Sequence, residues 1–185
     1  MSEMAFDFVN LGRASLLIAP FLALYAIVMG PVGDRYNRHD LIASARNALY
    51  AVTGLVVLAS IALLYAFVTK DYSVFYVYQN TRDSQSLLYT WTAFWGGNAG
   101  SLLFWALGLV IFSSIAVTTN WRSHYRLMPY VISVLMVIAL FFLFLLVFVA
   151  NPFQRLEFIP VDGRGLNPLL RDPGPERLGQ DVAAQ

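Results

Sequence analysis

With 185 residues of which 58% are hydrophobic and 12% charged, a mean hydropathy of +0.62 and a net charge of +1, the chain is too apolar for an ordinary soluble domain. Its charge gives no sign of a nucleic-acid partner. The lack of cysteine excludes disulfides and thiolate metal centres.

Four stretches contain no Asp, Glu, Lys or Arg: residues 14–33, 47–69, 84–121 and 127–154. Each supplies the roughly 20 apolar residues needed to cross a hydrocarbon core about 30 Å thick. Backbone groups in lipid must bond internally, so each is predicted to be a helix. The fold class expected is all-α, a polytopic membrane protein with four spans at about 14–30, 47–68, 100–119 and 128–150.

Residues 1–13 precede the first span and carry Glu3 and Asp7 against Arg13. This charge pattern, without a small-x-small cleavage site downstream, argues for a retained span rather than a signal peptide. The connection 31–46 holds Arg35, Arg38 and Arg46, and the connection 120–126 holds Arg122 and Arg126, whereas 69–98 has only Lys70 and Arg82. The positive-inside rule then places both arginine-bearing connections in the cytoplasm and both termini on the outer face. His39 and His124 fall in these basic connections and are expected to be solvated rather than ligands.

In the outer connection, Leu87, Leu88, Trp91, Phe94 and Trp95 recur at helical spacing, with Asp83 or Ser84 placed to cap. They predict an amphipathic helix over about 84–95, lying in the membrane interface. Gly96 and Gly97 interrupt it, letting the chain bend into the third span. Two small-xxx-small pairs, Gly96 with Gly100 and Gly97 with Ser101, also suit close helix packing. Trp91, Trp95 and Trp105 suit either interfacial anchoring or an aromatic platform for a flat apolar ligand.

Asn151 and Pro152 are expected to stop the fourth helix. The segment 151–174 is rich in turn formers, including Pro160, Asp162 with Gly163, Asn167 with Pro168, and Pro173 with Gly174. It predicts an extended external segment whose apolar residues, Phe153 and Leu166 among them, pack against further membrane-embedded protein. Residues 175–185 form a polar tail.

Two segments carry a resemblance. WGGNAGSLLFW, at 95–105, resembles the WG-x-x-x-GSLLLW stretch of the CcmF family of cytochrome c maturation haem lyases and their NrfE-type relatives. NPFQRLEFIPVDGRGLNPLLRDPG, at 151–174, resembles that family's NPF, proline, DG-x-GLNPLLQDPG segment. The likeness covers about residues 8–174. It implies a bacterial inner-membrane protein in cytochrome c-type biogenesis, which receives haem from the chaperone CcmE and works with a CcmH-type thiol protein and apocytochrome c. The family's haem-handling parts are external and intramembrane histidines and a tryptophan-rich WWD domain. After DPG the family continues to an HPP motif, whereas this chain reads PERLGQDVAAQ.

The resemblance therefore implies the N-terminal part of a haem lyase, truncated, frameshifted or split, with haem in the full-length family and none expected for this part alone. Its completion would be the C-terminal part of the lyase or a second chain. Trp95, Gly96, Gly97, Gly100, Ser101 and Trp105 are the candidates for supporting a haem module, joined by Asn151, Pro152, Asp162, Gly163, Asn167 and Pro168 in the external segment. No catalytic or metal-binding residue is expected. The other reading is a non-catalytic packing subunit of a membrane transport or respiratory complex. Coupled transport is disfavoured because the spans carry no ionisable side chain. Their polar groups, such as Thr53, Ser60, Ser113, Ser114, Thr118 and Ser133, are expected to bond within helices or to neighbours.

Overall fold

The computed structural model describes residues 2–81 and 87–156. The helices are α1 (Ser2–Arg35), α2 (His39–Val68), α3 (Phe75–Asn80), α4 (Leu87–Gly96), α5 (Asn98–Asn120) and α6 (Met128–Phe144), and α6 runs on into a π-helical turn over Leu145–Val149. Four segments are long and apolar enough to cross a membrane: Phe8–Arg35, His39–Val68, Asn98–Asn120 and Met128–Val149. The described residues contain no strand, only an isolated antiparallel bridge between Val74 and Arg155.

The connection expected over residues 31–46 is reduced to a tight turn over 36–38. Pro31 lies inside α1 instead of ending it. Proline removes the N–H that would bond the carbonyl four residues back. That carbonyl, Ile27 O, instead has Ser133 Oγ of α6 at 2.9 Å, so the helix crosses the proline with its acceptor satisfied. The same hydroxyl lies 3.0 Å from Pro129 O, and its one hydrogen is shared between the two carbonyls.

The helix then closes with Asn37 at φ 55°. Arg38 N–H donates to Gly33 O at 2.8 Å and Asn37 N–H to Asp34 O at 3.1 Å. These are the paired bonds of a Schellman cap, for which asparagine is a favoured left-handed residue. The end of α2 repeats the arrangement with Lys70 at φ 52°, Asp71 N–H reaching Ala66 O and Lys70 N–H reaching Phe67 O.

Small side chains set the α1–α2 packing. Ala19, Ala23 and Ala26 on α1, and Ala45, Ala48, Ala59, Ala62 and Ala66 on α2, are buried. Such residues let backbones approach closely where the hydrophobic effect gives no drive between helices. Hydroxyls tie α2 to α5: Thr53 Oγ1 lies 2.7 Å from Ser114 Oγ and 3.1 Å from Val110 O, and Tyr50 Oη lies 2.8 Å from Thr118 Oγ1. Larger side chains, including Leu49, Leu63, Phe67, Leu103, Ile132 and Met136, fill the interior. The α1–α2 turn and the α5–α6 connection share one end of the bundle. At the other end lie α3, the α4–α5 junction and residues 151–156.

Candidate functional site: the glycine corner

The corner between α4 and α5 is built around Tyr76 of α3. Helix α4 stops at Gly96, Gly97 is extended at φ −116° and ψ 170°, and α5 begins at Asn98. Gly97 N–H donates to Tyr76 Oη at 3.1 Å, and that phenol donates to Phe94 O at 3.1 Å. Ser101 Oγ lies 2.7 Å from Trp95 O and 2.8 Å from Gly97 O. Carbonyls at a helix end lack intrahelical partners. Here the C-terminal end of α4 is capped by hydroxyls reaching in from α3 and α5.

Aromatic packing fixes the phenol. Phe67 meets Tyr76 edge to face at a centroid distance of 5.5 Å and Phe94 at 6.5 Å. Burial raises the Tyr76 pKa above the ordinary 10.0, and hydrogen bonds with the backbone of Gly100 and Gly97 partly offset the rise. The phenol is thus held protonated, the form that can donate to Phe94 O.

The sequence-predicted residues divide here. A Cβ at Gly100 would collide with Phe94 O and the Tyr76 hydroxyl, and one at Gly97 would lie 2.7 Å from Tyr76 Cε2. A Cβ on Gly96 meets nothing within 4 Å. Among the described residues Gly96 packs against no other helix, whereas Gly100 is small to admit the end of α4 and the Tyr76 hydroxyl. Trp95 and Trp105 are both exposed. The Trp95 ring lies 6.1 Å from that of Phe104, while Trp105 makes no ring contact among the described residues.

Below Phe94 and Trp95 an apolar groove of about 320 Å³ runs between α2 and α5, with Ile61, Leu64, Phe104 and Leu107 among its lining residues. Its one hydroxyl, Ser60, is turned to Val56 O at 2.8 Å. The groove can hold an apolar moiety and offers no group for acid–base or nucleophilic chemistry. Asp83 and Ser84, and the side chains of Leu87, Leu88 and Trp91, lie outside the described residues.

The start of the second family-like segment seats on this chain itself. Asn151 Oδ1 accepts Phe153 N–H at 2.9 Å, forming an Asx turn that follows the π-helical end of α6. Pro152 and Phe153 are buried, and the Phe153 ring and the Ala62 methyl of α2 both close on the position of Gly12 on α1. Phe75 N–H donates to Gln154 O at 2.8 Å and Leu156 N–H to Ser73 O at 2.9 Å, while an Arg155 guanidinium nitrogen donates to Asn10 Oδ1 at 3.2 Å. The two family-like segments thus converge on α3, one through Tyr76 and the other through Phe75. Asp162, Gly163, Asn167 and Pro168 lie outside the described residues.

Tyr76 is the residue that sequence reasoning missed. Its only signal in the sequence is the aromatic run Phe75, Tyr76, Tyr78, ahead of the predicted interfacial helix. His39 and His124 are exposed at the opposite end of the bundle, and His39 Nδ1 lies 2.8 Å from Tyr125 Oη. Among the described residues no group of three or more His, Cys, Asp or Glu is arranged to hold a metal ion.

No protein-family model matches the chain. It is 39% identical over 166 residues to the cytochrome c-type biogenesis protein ccl1 of Rhodobacter capsulatus, covering 90% of this chain and 25% of that protein. It is 35% identical over 166 residues to CycK of Rhizobium meliloti, covering 90% and 25%. With CcmF of Escherichia coli the identity is 32% over 166 residues, covering 89% and 26%. Among solved structures it superposes on the cytochrome c heme lyase CcmF with a TM-score of 0.71 at 23% identity, covering 80% of this chain and 25% of that one, a likeness of fold. The chain spans about a quarter of the length of these relatives. In sequence over nine-tenths of its residues, and in the packing of its helices, the chain matches the N-terminal part of the CcmF-type cytochrome c biogenesis proteins and belongs with that family.

Proposed function

We propose that this chain is the scaffold portion of a cytochrome c haem lyase: it forms four spans of the inner membrane and presents the glycine corner on the outer face, where haem is delivered and attached. The observation that carries this reading is the convergence of the two family-like segments on α3. Gly97 N–H bonds Tyr76, and the backbone at Gln154 bonds Phe75. In this reading Trp95, Gly97, Gly100, Ser101 and Trp105 brace the haem-handling module from below. The chemistry is carried by haem vinyl groups and substrate thiols, and the protein supplies position and electrostatics. CcmE, a CcmH-type protein and apocytochrome c are the partners implied. The orientation rests on the arginine-bearing connections at the opposite end.

The experiment is to place Gly97→Leu with Gly100→Leu in the complete lyase of a host that depends on it and to measure covalent haem in c-type cytochromes beside the membrane level of the lyase. Loss of haem attachment is expected, with Gly96→Leu retaining it. Normal cytochrome c in the double variant overturns the assignment of the corner. Purified alone, the chain is expected to show no Soret band of a bis-histidine haem, and a stoichiometric low-spin spectrum would contradict the scaffold reading.

A further inference from the structure

The end of the bundle opposite the glycine corner collects cations that its acids do not neutralise. Arg35, Arg38, Arg46, Arg122 and Arg126 stand there with Asp34 and Asp40. Asp40 pairs with Arg38 at 2.6 Å, and Asp34 accepts the Tyr130 hydroxyl at 2.9 Å. Among the described residues no carboxylate pairs with Arg46, Arg122 or Arg126.

Arg46 is held in an unusual way for a charge on a membrane-length helix. Its guanidinium lies 4.4 Å from the Trp121 ring centroid, and its Nε is buried without a hydrogen-bond partner. Trp121 packs edge to face on Tyr125 at 5.4 Å, and the Tyr125 hydroxyl meets His39 Nδ1 at 2.8 Å. The two connections are thereby fastened together, with Arg46, Arg122 and Arg126 around the fastening. Arg46 comes seven residues after His39, about 10 Å along the helix. That somewhat exceeds the polar layer, which adds about 5 to 8 Å on each side of the hydrocarbon core, and makes Arg46 the deepest cation of this end.

We propose that this end binds an anionic phospholipid, with Arg46 as the deep cation and the exposed Arg122 and Arg126 as the rim. Arginine suits a phosphate because its planar fork matches the oxygen geometry. A lipid is favoured over a soluble anion because the cations border exposed apolar and aromatic side chains, Leu127 at 58% and Tyr36 at 68% exposure. Such a cluster at a membrane-facing helix end reads as a headgroup site.

The test is native mass spectrometry of the whole chain released from micelles containing equal amounts of phosphatidylglycerol and phosphatidylcholine. Retained phosphatidylglycerol is expected to dominate, and inorganic phosphate should not displace it. Arg46→Gln and the pair Arg122→Gln with Arg126→Gln should each move retention toward parity, by about fivefold for each arginine removed. Arg13→Gln, a charge-matched control toward the opposite end, should leave the preference intact. The paired variant alters only exposed side chains and carries the test where Arg46→Gln does not fold. Equal retention of the two lipids by the wild-type chain overturns the proposal, as does an Arg13→Gln variant that loses as much preference as the Arg122→Gln with Arg126→Gln pair. Displacement by inorganic phosphate would also overturn it, reducing the site to one for soluble anions.

Discussion

Ser133 Oγ on α6 donates to Ile27 O on α1 at 2.9 Å, the carbonyl left without its helical partner by Pro31. One hydroxyl thus keeps a proline-containing helix continuous and joins two helices distant in sequence. Ser133→Ala should lower the unfolding midpoint in detergent, since hydrogen bonds between membrane helices average about 0.6 kcal/mol and reach about 1.7. Pro31→Ala restores an N–H to Ile27 O, so Ser133→Ala should cost clearly less in that background. Strictly additive effects in the double-mutant cycle would show that the hydroxyl does not serve this carbonyl.

The three corner glycines should differ sharply under alanine substitution. Gly100→Ala drives a Cβ into Phe94 O and the Tyr76 hydroxyl and should unfold the corner or displace α4. At Gly97 the nearest obstacle is a Tyr76 ring carbon at 2.7 Å, so the loss should be intermediate. Gly96→Ala meets open space and sits at the end of α4, where alanine gains up to about 1 kcal/mol over glycine in helix propensity. Thermal unfolding of the three variants should rank them in that order. A Gly96→Ala as damaging as Gly100→Ala would refute the geometry.

Much of this was legible in the sequence because membrane spans announce themselves. Uncharged runs of the right length predict four apolar helices, since lipid admits few other solutions. The WGGNAGSLLFW and NPF segments identified the family, and Gly96-Gly97 marked the break between α4 and α5. What the sequence concealed was partnership. Pro31 signalled a helix end, because the serine that tolerates it lies 102 positions later. Gly96 and Gly100 matched a packing motif, yet Gly100 is small because Tyr76 and α4 arrive there from outside its helix. Phe153 looked like a residue awaiting another protein, while its seat is in this one. Such long-range contacts leave no periodic trace.

The seat of Phe153 supplies a third prediction. Its ring is 1% exposed, and a Cβ on Gly12 would lie 2.6 Å from both Phe153 Cζ and Ala62 Cβ. Phe153→Ala should cost on the order of 3 kcal/mol through the cavity it leaves, and should free residues 151–156 to proteolysis. Gly12→Ala should also destabilise, by overpacking. Phe153→Leu replaces the ring with a shorter side chain and should offset part of the Gly12→Ala loss, while Ala62 still resists it. If Phe153→Leu and Gly12→Ala simply add, the ring is not what fills the space at Gly12.

Tyr76 gives the corner a dependence on alkaline pH whose direction follows from its environment. The residue lies in α3, outside the four membrane-length segments, and burial raises its pKa above 10.0. The unfolded chain releases the phenolic proton near pH 10, whereas the folded chain retains it to higher pH. Between those two values the unfolded state binds fewer protons, so stability falls as pH rises. The contribution is whole below pH 10 and is lost as pH climbs through the raised folded value. Ionisation would also remove the phenolic proton that bonds Phe94 O. Tyr76→Phe should be less stable than wild type at neutral pH by about 1 kcal/mol or more, because it leaves Gly97 N–H and Phe94 O without their partner. The gap should narrow above pH 10, where wild type loses what the variant never had. Every other side chain is common to the two proteins, so the difference between the two unfolding curves isolates Tyr76. A gap that stays constant across the alkaline range would mean that the phenol does not hold the corner.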